Sequence, residues 1–275
     1  MAKLSKAQRK AHAEAEAILT KDRLTEDEKD FVFQNWHEGA NFETGAAGAF
    51  FTPWDMAADF QIDTRSGRVI DLCAGIGILS YFIHHRSLWG GGRGADITCV
   101  EINPRYVEIG RKLLPEARWI NADVFDWREL DLGHYDCAIG NPPFGRVKRQ
   151  GNGPRYRGQD FELHVIDIAS ELADYGAFIV PQQSASFRYS GTQLYQRLEK
   201  GRGVDFEHQT GLEMVGGAGI DTAFYQDKWK DVAPLCEIVC IEFAECRERM
   251  KAERDRIAAR PMPQIMRQAE QLALL

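Results

Sequence analysis

The chain has 275 residues and a formal net charge of −7, with 44% hydrophobic and 27% charged residues. That length suffices for one large domain or two small ones, each with a proper core. The acidic balance excludes a whole-surface polycation that coats nucleic acid, so any nucleic-acid contact requires a local basic patch. No run of about 18 apolar residues occurs, which excludes a membrane-spanning helix. The basic residues of Met1–Ala13 are followed by no apolar segment of the secretory kind. The six cysteines, Cys73, Cys99, Cys137, Cys236, Cys240 and Cys246, form no C-x-x-C pair and sit mostly in apolar runs. They read as reduced core thiols of a cytoplasmic protein. His84 and His85 read as solvated or half-packed, not as ligands.

In chain order, residues 3–20 are rich in Ala, Lys and Glu and predict a helix. Thr25-x-x-Glu28 is a capping box that opens a second helix to about Trp36. A loop follows over Gly45–Ala49, and Thr52 as N-cap with Pro53 at the first helical position predicts a third helix to about Ile62. Strands and helices then alternate. Arg68–Leu72 predicts a strand, Ile76–His85 a helix, Gly90–Gly94 a link and Ile97–Val100 a strand. Asn103-Pro104 caps a helix over Arg105–Leu114, which Pro115 ends. Arg118–Ile120 and Tyr135–Ile139 are strands, 160–174 a helix and Ala177–Val180 a strand. A helix over 192–200, strands over Val204–His208 and Leu235–Phe243, and a charged helix over Glu245–Arg260 complete the series. Pro261 and Pro263 precede a short tail helix. This succession predicts an α/β fold: a Rossmann-like, doubly wound, mostly parallel seven-stranded sheet with flanking helices. It divides into an N-terminal helical extension over 1–45, a catalytic domain over 46–245 and a C-terminal helical tail over 246–275.

In an open α/β sheet, ligands bind beyond the carboxyl ends of the strands. The first strand ends in Asp71-Leu72-Cys73-Ala74-Gly75-Ile76-Gly77, the second in Glu101 and the third in Asn121-Ala122-Asp123. The fourth ends in Asn141-Pro142-Pro143-Phe144. Taken singly, an Asp at a strand end is a helix cap; a carboxylate or amide at each of four successive ends points to a ligand site. Gly75-x-Gly77 is not a dinucleotide fingerprint, because Ser80 stands where the third glycine belongs. Asp71 just before the turn would also repel a pyrophosphate. The expected cofactor carries positive charge and no phosphate, which fits S-adenosylmethionine. Glu101 is then expected to take the ribose hydroxyls as a bidentate acceptor. Asp123 accepts from the adenine amino group, with Val124 against the ring.

VIDLCAGIG (69–77), VEIN (100–103), NADVF (121–125) and GNPPFG (140–145) resemble the class I S-adenosylmethionine-dependent methyltransferases. The Asn-Pro-Pro-Phe tetrad resembles that of members that methylate a planar exocyclic or amide nitrogen. GAFFTP (48–53) is similar to the G-x-F-x-T-P segment of N6-adenine DNA methyltransferases, where it lines the methionine end of the cofactor. The resemblance covers about residues 45–245. It implies cofactor contacts from Phe51, Thr52, Asp71, Ala74, Gly75, Gly77, Glu101, Ile102, Asp123 and Val124. It implies catalytic roles for Asn141, Pro142, Pro143 and Phe144. DNA-specific members usually carry a long target-recognition domain, and here little follows the last strand.

The tetrad suits this chemistry. The lone pair of an adenine amino nitrogen is conjugated with the ring. Acceptors aimed at its two hydrogens, the Asn141 side-chain oxygen and the Pro142 carbonyl, favour a pyramidal, nucleophilic nitrogen. Phe144 offers a face for a flipped base, worth about 1–3 kcal/mol. Gly145–Gly158 then carries Arg146, Lys148, Arg149, Arg155 and Arg157 without an acidic residue, with Tyr156 among them, and suits a phosphate backbone. The segment 210–233, with Met214, Phe224, Tyr225 and Trp229, reads as a target-contacting insertion or as core. The expected activity is methyl transfer to N6 of adenine in DNA. RNA, a protein glutamine amide, or a non-catalytic cofactor-binding subunit stay open beside it.

Overall fold

A computed structural model describes residues 5–37, 50–88, 92–230 and 232–259. Gly45–Ala49, part of the Gly90–Gly94 link and the tail helix lie outside the described residues. Two helices lead: α1 (Lys6–Ile18) and α2 (Glu26–Asn35). Each opens on a capping box, Ser5 with Gln8 and Thr25 with Glu28, which satisfies two N-terminal amides reciprocally. The third helix, α3 (Trp54–Phe60), starts one residue later than expected. Pro53 is its N-cap, and Thr52 does not cap it. The Thr52 hydroxyl oxygen instead accepts from the side chain of Asn141.

The sheet contains β1 (Arg68–Leu72), β2 (Asp96–Glu101), β3 (Arg118–Asn121), β4 (Tyr135–Gly140), β5 (Ala173–Pro181), β8 (Val215–Gly216) and β9 (Cys236–Ile241). Two short strands, β6 (Phe187–Arg188) and β7 (Gln196–Arg197), pair apart from it. The order across the seven-stranded sheet is β3-β2-β1-β4-β5-β9-β8. β1 to β5 are mutually parallel, and β9 runs antiparallel to both of its neighbours. The expected Rossmann-like architecture is therefore present. Its inner strands are buried on both faces because α4 (Ile78–Leu88), α5 (Pro104–Leu113) and α6 (Phe161–Leu172) cover them. The two apolar clusters lie on opposite faces, one under α3, α4 and α5, the other under α6.

Two expectations fail together beyond β5. Residues 192–200 form turns and the short β7 rather than a helix. Val204–His208 is not a strand but part of α7 (Arg202–Thr210). The alternation Val204-Asp205-Phe206 mimics a half-buried strand. The side of α7 that packs inward also holds Gly203, where a Cβ would come within 2.3–2.5 Å of the Ala185–Ser186 backbone. The strand expected at Val204–His208 is replaced by Val215–Gly216, which lies at the edge of the sheet, paired with Cys240 and Val239. Among the described residues the last helix is α8 (Phe243–Ala258), which follows β9 directly.

The order of β1 and β4 makes the crevice. β2 and β3 lie on one side of β1, and β4 and β5 continue on the other, so the connecting helices part at this junction. The two strand ends approach closely there: a Cβ on Gly140 would lie 2.6 Å from the Leu72 carbonyl oxygen. Gly140→Ala should therefore destabilise the fold by about 1–3 kcal/mol through overpacking against backbone. Chemical denaturation should register this as a lower midpoint at unchanged slope, and an unaltered midpoint would contradict the close approach.

Candidate active site

The parallel register brings the strand ends to one edge. Leu72 pairs with Val100, Asp71 with Ile139, and Glu101 with Asn121. Along this edge runs a cleft of about 270 Å³, lined among others by Phe51, Gly75, Glu101, Asp123, Asn141 and Pro143. A smaller hollow of about 30 Å³ continues from it under Thr52, Asp71 and Ala74. Phe51 borders both parts. Its ring would lie 2.9 Å from a Cβ on Gly75, and it packs edge-on against Tyr106 and tilted against Trp36. The N-terminal helices thus reach the cleft through Trp36, which caps the end of α2. A larger groove of about 890 Å³ between α7 and α8 contains none of these strand-end residues.

Asn141 is the most constrained group. Its side-chain nitrogen donates to the Phe50 carbonyl at 2.9 Å and to the Thr52 hydroxyl oxygen at 3.0 Å. A backbone carbonyl only accepts, so the amide orientation is determined. Its Oδ1 is left buried and without a partner. An orphaned buried acceptor costs about 1–3 kcal/mol, which marks it as an atom awaiting a donor.

Asp71 and Glu101 carry the electrostatics. Asp71 is buried at the end of β1; its Oδ2 accepts from the Ser80 hydroxyl at 2.7 Å, and its Oδ1 has no partner. Burial, with Glu101 as a like-charged neighbour, pushes its pKa up to about 7. Glu101 accepts from the Gly75 and Asn103 amides at 2.9 and 2.8 Å, yet burial still pushes its pKa up to about 7. Each Glu101 oxygen thus already accepts one backbone hydrogen bond and keeps a second lone pair for a ligand. Among the described residues no Lys or Arg pairs with either carboxylate. A ligand bearing positive charge or hydroxyl donors is what this pair lacks. Asp123 spends Oδ1 on the Phe125 amide at 3.0 Å, capping a short turn, while Val124 is buried beneath it. Ile102 is 61% exposed and lines the cleft, an apolar face at its mouth.

Not every expected residue gathers here. Gly77 does not line the cleft; a Cβ there would lie 2.8 Å from Trp119, so its smallness serves packing. Phe144 does not line the cleft; it is half-buried, with its ring centroid 6.4 Å from that of Trp229. Pro142 is buried, and Pro143 reaches the lining. Cys73 departs from the reading of buried core thiols: it is half-buried, has φ 65°, and lines both parts of the cleft. Phe50, Asn103, Tyr106 and Phe161 also line it and were not expected. Asn103 was legible only as a helix cap, which it also is, accepting from the Arg105 amide.

The basic loop is corrected most. Arg155 pairs with the fully buried Asp167 at 2.9 Å and with Glu171 at 3.1 Å. Arg149 donates to Asn152 and to the Gly158 and Gln159 carbonyls. Arg157 donates to the carbonyls of Gly153, Pro154 and Tyr156. Tyr156 is buried against His164 and Phe206 and offers no face to a base. The His164 ring accepts from the Gly153 amide at 3.0 Å and donates to the Gly158 carbonyl, and burial lowers its pKa to about 4. Three of the five cations thus build the loop. Arg146 and Lys148 are exposed and make no ion pair among the described residues, and Lys148 lines the cleft. In 210–233, Met214 and Trp229 are buried and Phe224 is 76% exposed.

No protein-family model matches the sequence, and no curated protein matches it. Solved structures do match in fold. One is titled a putative class I S-adenosylmethionine-dependent methyltransferase from Listeria monocytogenes: 15% identity, TM-score 0.53, covering 87% of this chain and 75% of that one. Another is a modification subunit of a putative type I restriction enzyme from Vibrio vulnificus: 12% identity, TM-score 0.50, covering 80% of this chain. This chain spans 50% of that subunit's length. The likeness is one of fold: this chain shares the Rossmann-like, mostly parallel seven-stranded architecture of these two proteins. Among the described residues no group of His, Cys, Asp and Glu is placed to hold a metal, and no helix is long and apolar enough to cross a membrane.

Proposed function

We propose that this chain is an S-adenosylmethionine-dependent methyltransferase acting on N6 of adenine in DNA. The observation that carries the reading is the Asn141 amide: its nitrogen is tied to Phe50 and Thr52, and its oxygen is left unpartnered beside the cleft. An acceptor held this way, next to a proline carbonyl, suits the two hydrogens of a planar amino group. The fold supports the cofactor, and so do the residues: two buried carboxylates without a cation, an apolar Ile102 at the mouth, and Asp123 with Oδ2 free. The likeness to a restriction-enzyme modification subunit supports nucleic acid as the partner.

When bound, the cofactor supplies an electrophilic methyl group on a sulfonium. Asp71 and Glu101 hold its cationic and hydroxyl groups, and Asp123 and Ile102 its adenine. Asn141 Oδ1 and the Pro142 carbonyl draw the substrate amino nitrogen towards tetrahedral geometry. The Pro142 ring fixes its φ and the following Pro143 restricts its ψ, so the direction of that carbonyl is narrowed before substrate arrives. Orientation provides most of the rate, and no strong base is required, because the methylated nitrogen is cationic and sheds its proton readily.

Tritiated methyl transfer onto DNA, RNA and protein, followed by nucleoside mass spectrometry, tests the reading. N6-methyladenine in DNA is the expected product. Label confined to RNA or to glutamine would reassign the target, and no label in any would favour a binding subunit.

The structure also revises the electrostatic expectation. With all five loop cations on phosphates, log K against log[salt] would fall with a slope of about −4.5; with Arg146 and Lys148 alone it should be about −1.8. Arg146→Ala and Lys148→Ala should each flatten the slope by about 1, whereas Arg155→Ala should loosen the loop. Fluorescence anisotropy on duplex DNA across a salt series reads this. A slope unmoved by either of the first two changes would remove both residues from the interface.

A further inference from the structure

The Asn141–Phe144 turn is anchored at its first residue by Phe50 and Thr52. At its other end lies Gly145, with φ 77° and nothing within 4 Å of where a Cβ would be. Packing therefore does not hold this end. Two hydrogen bonds from the start of α6 do. The Gly145 amide donates to Glu162 Oε2 at 2.7 Å, and the Gly145 carbonyl accepts from the Phe161 amide at 2.8 Å. Glu162 is fully buried, and its Oε1 accepts from the Ser184 hydroxyl at 2.7 Å, just beyond the end of β5. One carboxylate thus ties the turn after β4 to the loop after the adjacent strand. No cation among the described residues pairs with it; burial and the nearby Asp160 raise its pKa, and only hydrogen bonds oppose this.

We propose that Glu162 is a positioning residue for methyl transfer, holding the Asn141–Phe144 turn in register with the cleft through Gly145. This rests on the reading of Asn141 above. Glu162 touches neither cofactor nor substrate; it acts through reach and hydrogen bonding, not charge. Two conservative changes separate these. Glu162→Gln keeps the reach: its oxygen accepts from Gly145, and its amide donates to the Ser184 oxygen. Glu162→Asp keeps the charge but is one methylene too short to span both partners.

The test compares the wild type, Glu162→Gln and Glu162→Asp in single-turnover methyl transfer to unmethylated genomic DNA, with cofactor affinity by calorimetry and amide exchange of Gly145 by NMR. The Gln variant is expected within about threefold of wild-type rate with Gly145 still protected. The Asp variant is expected to lose about 10–100-fold in rate, with cofactor affinity within about twofold and Gly145 exchange accelerated, the penalty of a turn misplaced by a fraction of an ångström. An Asp variant as fast as Gln, or slower only in proportion to lost cofactor affinity, overturns the proposal. The Gly145 exchange rate needs no substrate, so it tests the clamp even if the DNA reading fails. An Asn141→Ala variant with normal turnover overturns that reading instead.

Discussion

Asn141→Ala is expected to cut methyl transfer by about 10²–10³ while leaving cofactor affinity within a few-fold, the scale of losing one preorganised hydrogen-bonding partner. The reason is geometric. Oδ1 is the one atom of the tetrad side chains that is buried, polar and unpartnered, and its direction is set by what the amide nitrogen must donate to. Thr52→Val removes one of those two acceptors and should cost less, because Phe50 still orients the amide. Phe144→Ala should also cost less, about 1–3 kcal/mol if stacking is its contribution, plus some stability, since its ring packs towards Trp229. Single-turnover rates and calorimetry on the three variants decide the order. Near-normal turnover in Asn141→Ala would remove the tetrad from the chemistry.

The second large effect is on the cofactor, and it depends on pH. Free Asp71 and Glu101 have pKa values pushed up to about 7, from ordinary values of 3.8 and 4.5. Both are raised chiefly by burial, and Glu101 adds a like charge beside Asp71. A cationic ligand favours their charged forms, so below pH 7 binding must expel protons. Affinity should rise with pH up to about 7 and level off above it, by as much as tenfold per unit for each proton linked. The free protein should show the opposite trend. Between about pH 4 and 7 the folded state binds more protons than the unfolded chain, so its stability falls as pH rises through that window. Asp71→Asn and Glu101→Gln should each weaken binding at pH 8 by about 1.5–3 kcal/mol and flatten both curves. Calorimetry and thermal melts from pH 5 to 8 measure them. A dissociation constant independent of pH in the wild type would show that these carboxylates do not face the bound cation.

Much of the site was legible because it is local. A short apolar run such as Val69–Leu72 or Ile97–Val100 is a strand, and the carboxylate at or beside its end, Asp71 or Glu101, lies where a turn must follow. Capping boxes, Asn103-Pro104 and the glycine turn are read within four residues. The parallel sheet then needs no further information to bring Asp71, Glu101, Asp123 and Asn141 to one edge, because alternating strands and helices leave few other arrangements.

What the local pattern could not carry depended on partners far along the chain. Val204–Phe206 alternates like a strand but lies in a helix packed through Gly203 on the Ala185–Ser186 backbone, and Val215–Gly216 pairs with β9 at the edge of the sheet instead. Charge content marked Arg149, Arg155 and Arg157 as ready for phosphate; only the folded chain reveals that Asp167 and nearby carbonyls already hold them. Glu162 reads as one more acid in an amphipathic helix until Gly145 and Ser184 close on it. The amino acid types at the strand ends were determined by sequence alone. The atoms left unpartnered, Asp71 Oδ1 and Asn141 Oδ1, were decided by tertiary structure, because an orphan is defined by every neighbour that does not reach it.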